Sequence, residues 1–590
     1  MMTLLTTLRD KPKGSMIAIL LTSVLVPAFI TLSCRGGDKP ARADISKDGK
    51  IPLPAIVEVT AEAGLADFRH DNGARGKFYF PEQMGAGGGF IDYDGDSWLD
   101  ILLVGGGAID PEPTRFVKAL RLYKNDRDGT FSEVTEAAGL GGLQAHGTGV
   151  AAADYDNDGD EDFYFTTLWK NFLFRNDGGK FTSVGDEAGV TDQAVWSSSS
   201  LFFDADLDGD LDLYVANYSD WSQATDVYCS VEGGKKVYCP PGQYHGIPSR
   251  FYRNHGNGRF ADETEESGFL AAIGKSLGVA EFDYNRDGWP DFVVSNDGEG
   301  DLLYKNNGDG TFSEIGMISG MGYGENGEAR AGMGIDVGVV DDDGYESVFV
   351  GNFSNEMIGV YRYIGNDLFM NRAAVSKIGQ ASLLSLTFGL FLFDIEYDGD
   401  LDLFAANGHV YPERPILDGS TYRQKSQLFV NIGNGTFSPA TSVPGGAFEQ
   451  EMVARGASYG DYDRDGDLDI LLTENGGPAH LWRNELANAK YLRVRLQGLA
   501  SNTEGISSQV IAVVGNRRMY RRMRTGSSYL CQSEKVVSFG LGPAEKVDSL
   551  IVHWPSGARD VLTDLKPNQD LRVVEGSGRS ELVYFPTTGD

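Results

Sequence analysis

The chain is poor in the residues that most catalytic and structural metal chemistry depends on. Seven histidines and four cysteines occur in 590 residues. No His-x-x-His, Gly-x-Ser-x-Gly, Cys-x-x-Cys-His or phosphate-loop pattern is present, so no familiar hydrolytic, haem or nucleotide chemistry can be assigned. GMGYGENG and GAGGGF are glycine-rich but do not lie between a strand and a helix, which makes them poor nucleotide cradles. Positive charge is also scarce. Lys and Arg number 51 against 85 Asp and Glu, and the resulting net charge of -34 argues against nucleic acid as a partner.

What the chain has is glycine, at 77 residues, together with 11% aromatics and short strand-like runs, a combination that suits an all-β protein with many turns. Its length calls for several domains or a repeat array. The repeat is plainest in GVAAADYDNDGDEDFYFTT (residues 149–167), which reads as strand, acidic loop, strand. Asp154, Asp156, Asp158 and Asp162 lie at offsets zero, two, four and eight, with Gly159 at offset five. Alternate carboxylates converging from one tight turn form a nest of hard oxygen ligands suited to calcium. Without a cation they repel, by about 4 kcal/mol for two charges ~4 Å apart at an effective dielectric near 20.

Seven such units can be aligned. The first is Asp92, Asp94, Asp96 and Asp100, with Ser97 in place of the glycine; the second is the stretch just described. The third is Asp204, Asp206, Asp208 and Asp212, and the fourth Asp283, Asn285, Asp287 and Asp291. The fifth is degenerate, with Val339 and Ser347 at the outer positions and only Asp341 and Asp343, with an extra Asp342, between them. The sixth is Asp394, Glu396, Asp398 and Asp402, and the seventh Asp461, Asp463, Asp465 and Asp469. Six good calcium sites and one weak or empty one are expected.

Each loop is preceded by a small, apolar strand and followed by a hydrophobic strand, an LYKN-like strand and a GTF-like strand. Four short strands in each of seven units predict a seven-bladed β-propeller over residues 55–488. The seventh unit lacks its GTF-like strand, whereas IVEVTAEAGL (56–65) copies FSEVTEAAGL (131–140); residues 56–60 are therefore expected to close the ring. Residues 489–577 change character. Acidic loops vanish, strands such as YLRVRL, QVIAVV and SLIVHW alternate, and a separate β-sandwich-like domain is predicted, followed by a tail at 578–590. Arg517, Arg518, Arg521, Arg522 and Arg524 form either a solvated hairpin face or a surface that docks on the acidic propeller or an anionic partner.

Residues 1–34 read as an export signal. Lys11 and Lys13 lead an apolar stretch from Met16 to Leu32, then Ser33 and Cys34. The stretch resembles a bacterial lipoprotein signal, with lipidation of Cys34 expected; a plain cleaved signal or a retained anchor are the alternatives. Arg35 points to the outer membrane, where the cell has one, and 35–54 reads as a flexible tether. In an exported chain, Cys229 and Cys239 in VYCSVEGGKKVYC are expected to pair, leaving Cys531 as a buried thiol.

With these residues laid out, the chain resembles the bacterial relatives of the cartilage acidic protein family, which join FG-GAP/VCBS repeats to a C-terminal ASPIC/UnbV domain. The repeated D-x-D-x-D-G-x-x-D units carry the first part. SNTEGISSQVIAV (501–513), GSSYLCQSEKVVSFGLG (526–542) and VDSLIVHWPSG (547–557) carry the second. The family commonly has Ser in place of Cys531 and Gly-Ala in place of Ser508-Gln509. The resemblance implies extracellular calcium binding and adhesion or interaction, and no reaction. By analogy with the integrin α-propeller, the acidic loops join the first and second strands of each blade and share one face. The opposite face then carries His70, His146, His245, His409, His480, Glu82, Trp221, Arg330 and Tyr411. There His70, His146, Arg330 and His409 are candidates for holding a ligand, an envelope protein or a glycan, or for an enzymatic centre built on His/Glu or a transition metal.

Overall fold

The computed structural model describes residues 53–109, 118–191, 194–231, 234–412 and 421–583. The export-type segment, Cys34 and the tether up to residue 52 lie outside the described residues. The described residues form one compact unit, and no helix among them is long and apolar enough to cross a membrane.

Each acidic repeat builds one four-stranded antiparallel sheet. In the second, Gly147–Ala153, Asp162–Thr167, Phe172–Asn176 and Phe181–Ser183 pair in sequence order, with the acidic loop joining the first two strands. Seven such four-stranded arrays occur among the described residues, the fourth and fifth joined where Asp297 and Glu299 pair with Ala331 and Arg330. The fourth strand of the seventh comes from the other end of the chain, where Ile56–Glu58 pairs with Ala479–Asn484 and Ile56 lies opposite Asn484. The first strands of neighbouring sheets pack side by side in a closed circle, the seventh against the first. Strand alternation is weak because both faces of each sheet are covered: Phe163, Tyr164 and Phe165 are all fully buried. The apolar clusters lie between adjacent sheets, as with Phe203, Tyr214, Phe269, Phe292 and Phe312 between the third and fourth.

The first strand of six sheets bulges at the same place, between Gly147 and Val150 in the second and between Ala454 and Ala457 in the seventh. Each bulge holds two residues, and the second is glycine in five of them: Gly149, Gly278, Gly334, Gly389 and Gly456. The channel is not empty. A strap of the C-terminal domain, residues 525–534, runs down it. Cys531–Gln532 pairs in parallel with Gly88 and Gly89, Ser528 bridges to Ile335, and Val150 N–H donates to Leu530 O at 3.2 Å. At Gly456 the fit leaves no room for a side chain, since a Cβ there would lie 2.4 Å from Cys531 Sγ.

The rest of the C-terminal domain is a sandwich of two four-stranded sheets. Tyr491–Gln497 lies between Val537–Gly540 and Gln569–Val574 in one; Gln509–Val514 lies between Arg517–Arg522 and Val547–His553 in the other. Val494, Val510, Phe539, Leu550 and Trp554 fill the space between them. The sandwich packs directly on the propeller. Its core is continuous with that of the second and third sheets through Tyr164, Phe202 and Leu213.

Candidate functional site

The acidic loops share one construction. The Asp at offset zero accepts the offset-five N–H: Gly159 N–H to Asp154 Oδ2 at 2.9 Å, Gly288 to Asp283 at 3.1 Å and Gly399 to Asp394 at 2.8 Å. That turn holds offset five at a φ of 89 to 100° in five repeats, a region open in practice only to glycine. In the first repeat Ser97 sits at 67° and still donates to Asp92 at 2.9 Å. The Asp at offset eight is buried beneath the loop. Asp162 takes the N–H of Tyr155 at 3.2 Å and that of Asn176 at 2.7 Å.

Five loops bring three carboxylates together with ligand atoms within 4.8 Å of one another: Asp92, Asp94 and Asp96; Asp154, Asp156 and Asp162; Asp204, Asp206 and Asp208; Asp394, Glu396 and Asp402; Asp461, Asp463 and Asp465. In the fourth repeat Asn285 stands at offset two and donates to Asp287 at 2.7 Å. In the fifth, Arg362 takes the place of a cation, at 2.9 Å from Asp341 and 2.6 Å from Asp343. The donor set fits a hard dication. Asp92, Asp94, Asp156, Asp206, Asp394 and Asp461 each keep a buried oxygen with no hydrogen-bond partner, and only oxygen ligands are offered. Burial is the main cause that pushes Asp154 and Asp156 up to about 6 and Asp162 to about 9. As bare carboxylates they are held at a cost that a bound cation would reverse.

The C-terminal sandwich covers this face. Thr503 Oγ1 donates to Asp154 Oδ2, Gly540 N–H to Asp394 Oδ2 at 3.1 Å, and Arg493 Nε lies 3.4 Å from Asp461 Oδ2. Four buried ion clusters seal the contact. Arg493 holds Glu534 at 2.7 Å; Lys535 bridges Glu161 and Glu504; Arg522 holds Glu346 at 3.2 Å; Arg524 holds Asp336. Arg517 joins Asp400 at the edge, so of the arginine run only Arg518 is exposed. The arginines serve docking.

Two sets of functional side chains escaped sequence reasoning. Glu161 and Glu346 stand at offset seven, where the other repeats carry Leu or Pro; each accepts the first Asp N–H of the preceding loop and receives a cation from the sandwich. That departure from the repeat was the available signal. The Asn ending each LYKN-like strand also acts between sheets. Asn176 Nδ2 donates to Tyr93 O of the first sheet at 2.8 Å, Asn254 to Tyr155 O at 2.9 Å, and Asn125 closes the circle on Tyr462 O at 2.9 Å.

Comparison with known proteins agrees with this architecture. FG-GAP-like repeats match residues 92–165, 154–215, 283–338 and 394–472, and ASPIC and UnbV matches 498–580. Together the matched segments span more than half of the chain. Cartilage acidic protein 1 of Homo sapiens is 24% identical over 507 residues, covering 81% of this chain and 70% of the relative; that of Xenopus tropicalis is 23% identical over 556 residues, covering 81% and 71%. The chain belongs to the cartilage acidic protein-like family. Among solved structures, BP39L lectin from Burkholderia pseudomallei is similar at TM-score 0.40 and 10% identity, covering 69% of this chain and 97% of the lectin. An Agrocybe aegerita lectin recognising non-reducing terminal N-acetylglucosamine gives TM-score 0.38 and 16% identity, covering 66% and 85%.

In this family member the face opposite the FG-GAP loops is built by the remaining connections. Phe80, Met84, Trp196, Tyr218, Trp221 and Tyr244 gather there with Tyr529 and Leu530 of the strap and stop the channel. The Cys229–Cys239 disulfide staples a hairpin beside them, and Tyr238 OH donates to Glu82 at 2.8 Å. His70, His146 and His409 are 2–3% exposed and serve the backbone. His70 Nδ1 accepts Gly476 N–H at 3.1 Å, His146 Nδ1 lies 2.7 Å from Gly107 O, and His409 Nδ1 accepts Tyr411 N–H at 3.1 Å. Burial takes His70 down to about 3, so it is neutral. None of the carboxylate groups with metal-ligand spacing includes a histidine among the described residues. Arg330 is buried and pairs with Glu325 and with Glu328 at 3.4 Å. Cys531 is a buried free thiol in the strap.

Proposed function

We propose that the protein is an exported binding or adhesion protein. It is held at the cell envelope by a lipid on Cys34, stabilised by calcium in six FG-GAP loops, and binds an envelope protein or glycan on the face opposite those loops. One observation carries the choice of face: the C-terminal sandwich roofs the loop face and its strap fills the channel. A ligand is left the opposite connections, where long loops on a rigid scaffold are the usual place for recognition. Within the loops, the residues that would hold calcium are the clustered carboxylates of repeats one, two, three, six and seven and, by their spacing, Asp283, Asn285, Asp287 and Asp291 of the fourth, with Arg362 substituting in the fifth. A bound dication neutralises the carboxylates and fixes the turn, which couples binding to folding.

Thermal unfolding with and without chelator tests the calcium part. At a 20-fold excess of free calcium over Kd, each occupied site adds about 1.8 kcal/mol. A melting curve unmoved by chelator sinks it. For recognition, purified protein is tested against envelope proteins and glycans, and absence of binding to both refutes the reading.

A further inference from the structure

A cavity of about 380 Å³ opens on the face opposite the FG-GAP loops. Three connections form it: the one entering the sixth sheet at Leu384 and Ser385, the one between that sheet's second and third strands at 421–427, and the one leading to the seventh sheet at 440–451. Its size lies within the ~300–1,000 Å³ usual for small-molecule sites.

Thr421, Ser426, Thr441 and Ser442 bring hydroxyl groups to the lining, that of Thr421 already donating to Arg423 O at 2.6 Å. Ser426 is only 5% exposed and its Oγ has no hydrogen-bond partner, an unfavourable state that a ligand hydroxyl would relieve. Behind it the two glutamines are already fixed. Gln424 Oε1 accepts Leu386 N–H at 2.9 Å, and Gln427 Nε2 donates to Ala381 O at 3.0 Å, so only the Ser426 side chain has to turn to meet a ligand. Leu428, Val443, Phe448 and the half-exposed Leu384 supply the apolar side. At the rim Lys425 and Glu449 pair at 2.5 Å and Glu451 adds one negative charge, so the lining disfavours an anionic ligand.

A sugar ring presents hydroxyls around its edge and C–H groups on its faces, and it carries no charge. We infer that this cleft binds a neutral sugar, as one or two residues of a glycan. The inference rests on the reading that the ligand meets this face, and narrows it to a place and a chemical class.

The test is saturation-transfer NMR on the calcium-loaded full-length protein. Glucose, galactose, mannose and N-acetylglucosamine are the probes, with glucuronate as the charged comparison. Ser442→Trp fills the cleft from an exposed position, and Ser426→Ala removes the buried hydroxyl. Expected are saturation of at least one neutral sugar, its loss in S442W, at least threefold weaker binding in S426A, and parental melting temperatures in both variants. A sugar bound equally by parent and S442W, or a preference for glucuronate, overturns the cleft but leaves the proposed face standing. Binding to envelope protein without any sugar does the same. No binding to sugars or envelope preparations overturns both.

Discussion

The closing strand of the ring is locked by a histidine, and the lock depends on pH. Glu58 lies on that strand. Its carboxylate sits 3.2 Å from His480 Nδ1 and accepts Trp482 Nε1–H at 2.8 Å. The other ring nitrogen of His480 lies 3.4 Å from Glu474, which also holds Arg423 at 2.6 Å. Burial opposes a charge on His480, yet the two carboxylates prevail and raise it from 6.5 to about 9. That difference corresponds to about 3 kcal/mol of folded-state stabilisation. Because the folded value is the higher one, the contribution is complete below pH 6.5 and fades as pH rises through about 9. Glu58 and Glu474 are lowered, so their share persists until the pH falls into the carboxylate range. The perturbation is His480→Gln, and the assay is amide hydrogen exchange at Val59 and Leu481, which bond across the closure. After correction for intrinsic rates, protection in the parent should fall about 100-fold between pH 7 and pH 10, the equivalent of about 3 kcal/mol. In H480Q it should start low and stay flat. Parallel profiles in the two proteins would refute the reasoning.

Other parts of the structure yield further expectations. Deleting residues 1–62 removes the fourth strand of the seventh sheet and should lower the melting temperature sharply; equal melting of the truncated and full-length proteins contradicts the closure. Replacing Arg493 by Met strands Glu534 and Asp461, both buried, and should cost about 3–5 kcal/mol. Calorimetry reads that loss, and protease cutting between propeller and sandwich should accelerate with it. Gly456→Ala pushes a methyl group against Cys531 and should destabilise by about 1–3 kcal/mol. The double change with Cys531→Ala should recover part of it in a chemical-denaturation cycle.

What could be read from residue order was whatever is local and repeated. The spacing of Asp154, Asp156, Asp158, Asp162 and Gly159 fixes a turn within nine residues, and seven copies point to the propeller without any tertiary knowledge. The disulfide was legible for the same reason, with Cys229 and Cys239 only ten residues apart. The strap was not. GSSYLCQSE has no period, and its partners Gly88, Ser199 and Ile335 come from three distant sheets. The arginine run stayed ambiguous because a solvated hairpin and a docked one have the same composition; only the placement of Glu346, Asp336 and Asp400 decides between them. The histidines of the opposite face stand out in the sequence by their scarcity, which says nothing about their partners. His70, His146 and His409 serve backbone groups, whereas His245 and His480 face carboxylates.

The closure also governs when the molecule can fold. Ile56 pairs with Asn484, made 428 residues later. At a synthesis rate of about 5–20 residues per second, the first strand waits roughly 20–90 s for its partner. Bringing ends that far apart together costs about 5 kcal/mol of chain entropy. During that interval an incomplete ring exposes an unpaired edge and an unfilled bore, both prone to pair with other chains. The bore is stopped later still, once residues 525–534 emerge. Maturation of this protein is therefore a late event of the whole chain: termination before residue 484 leaves the ring open with an unpaired edge, and termination between there and the strap leaves the bore unfilled.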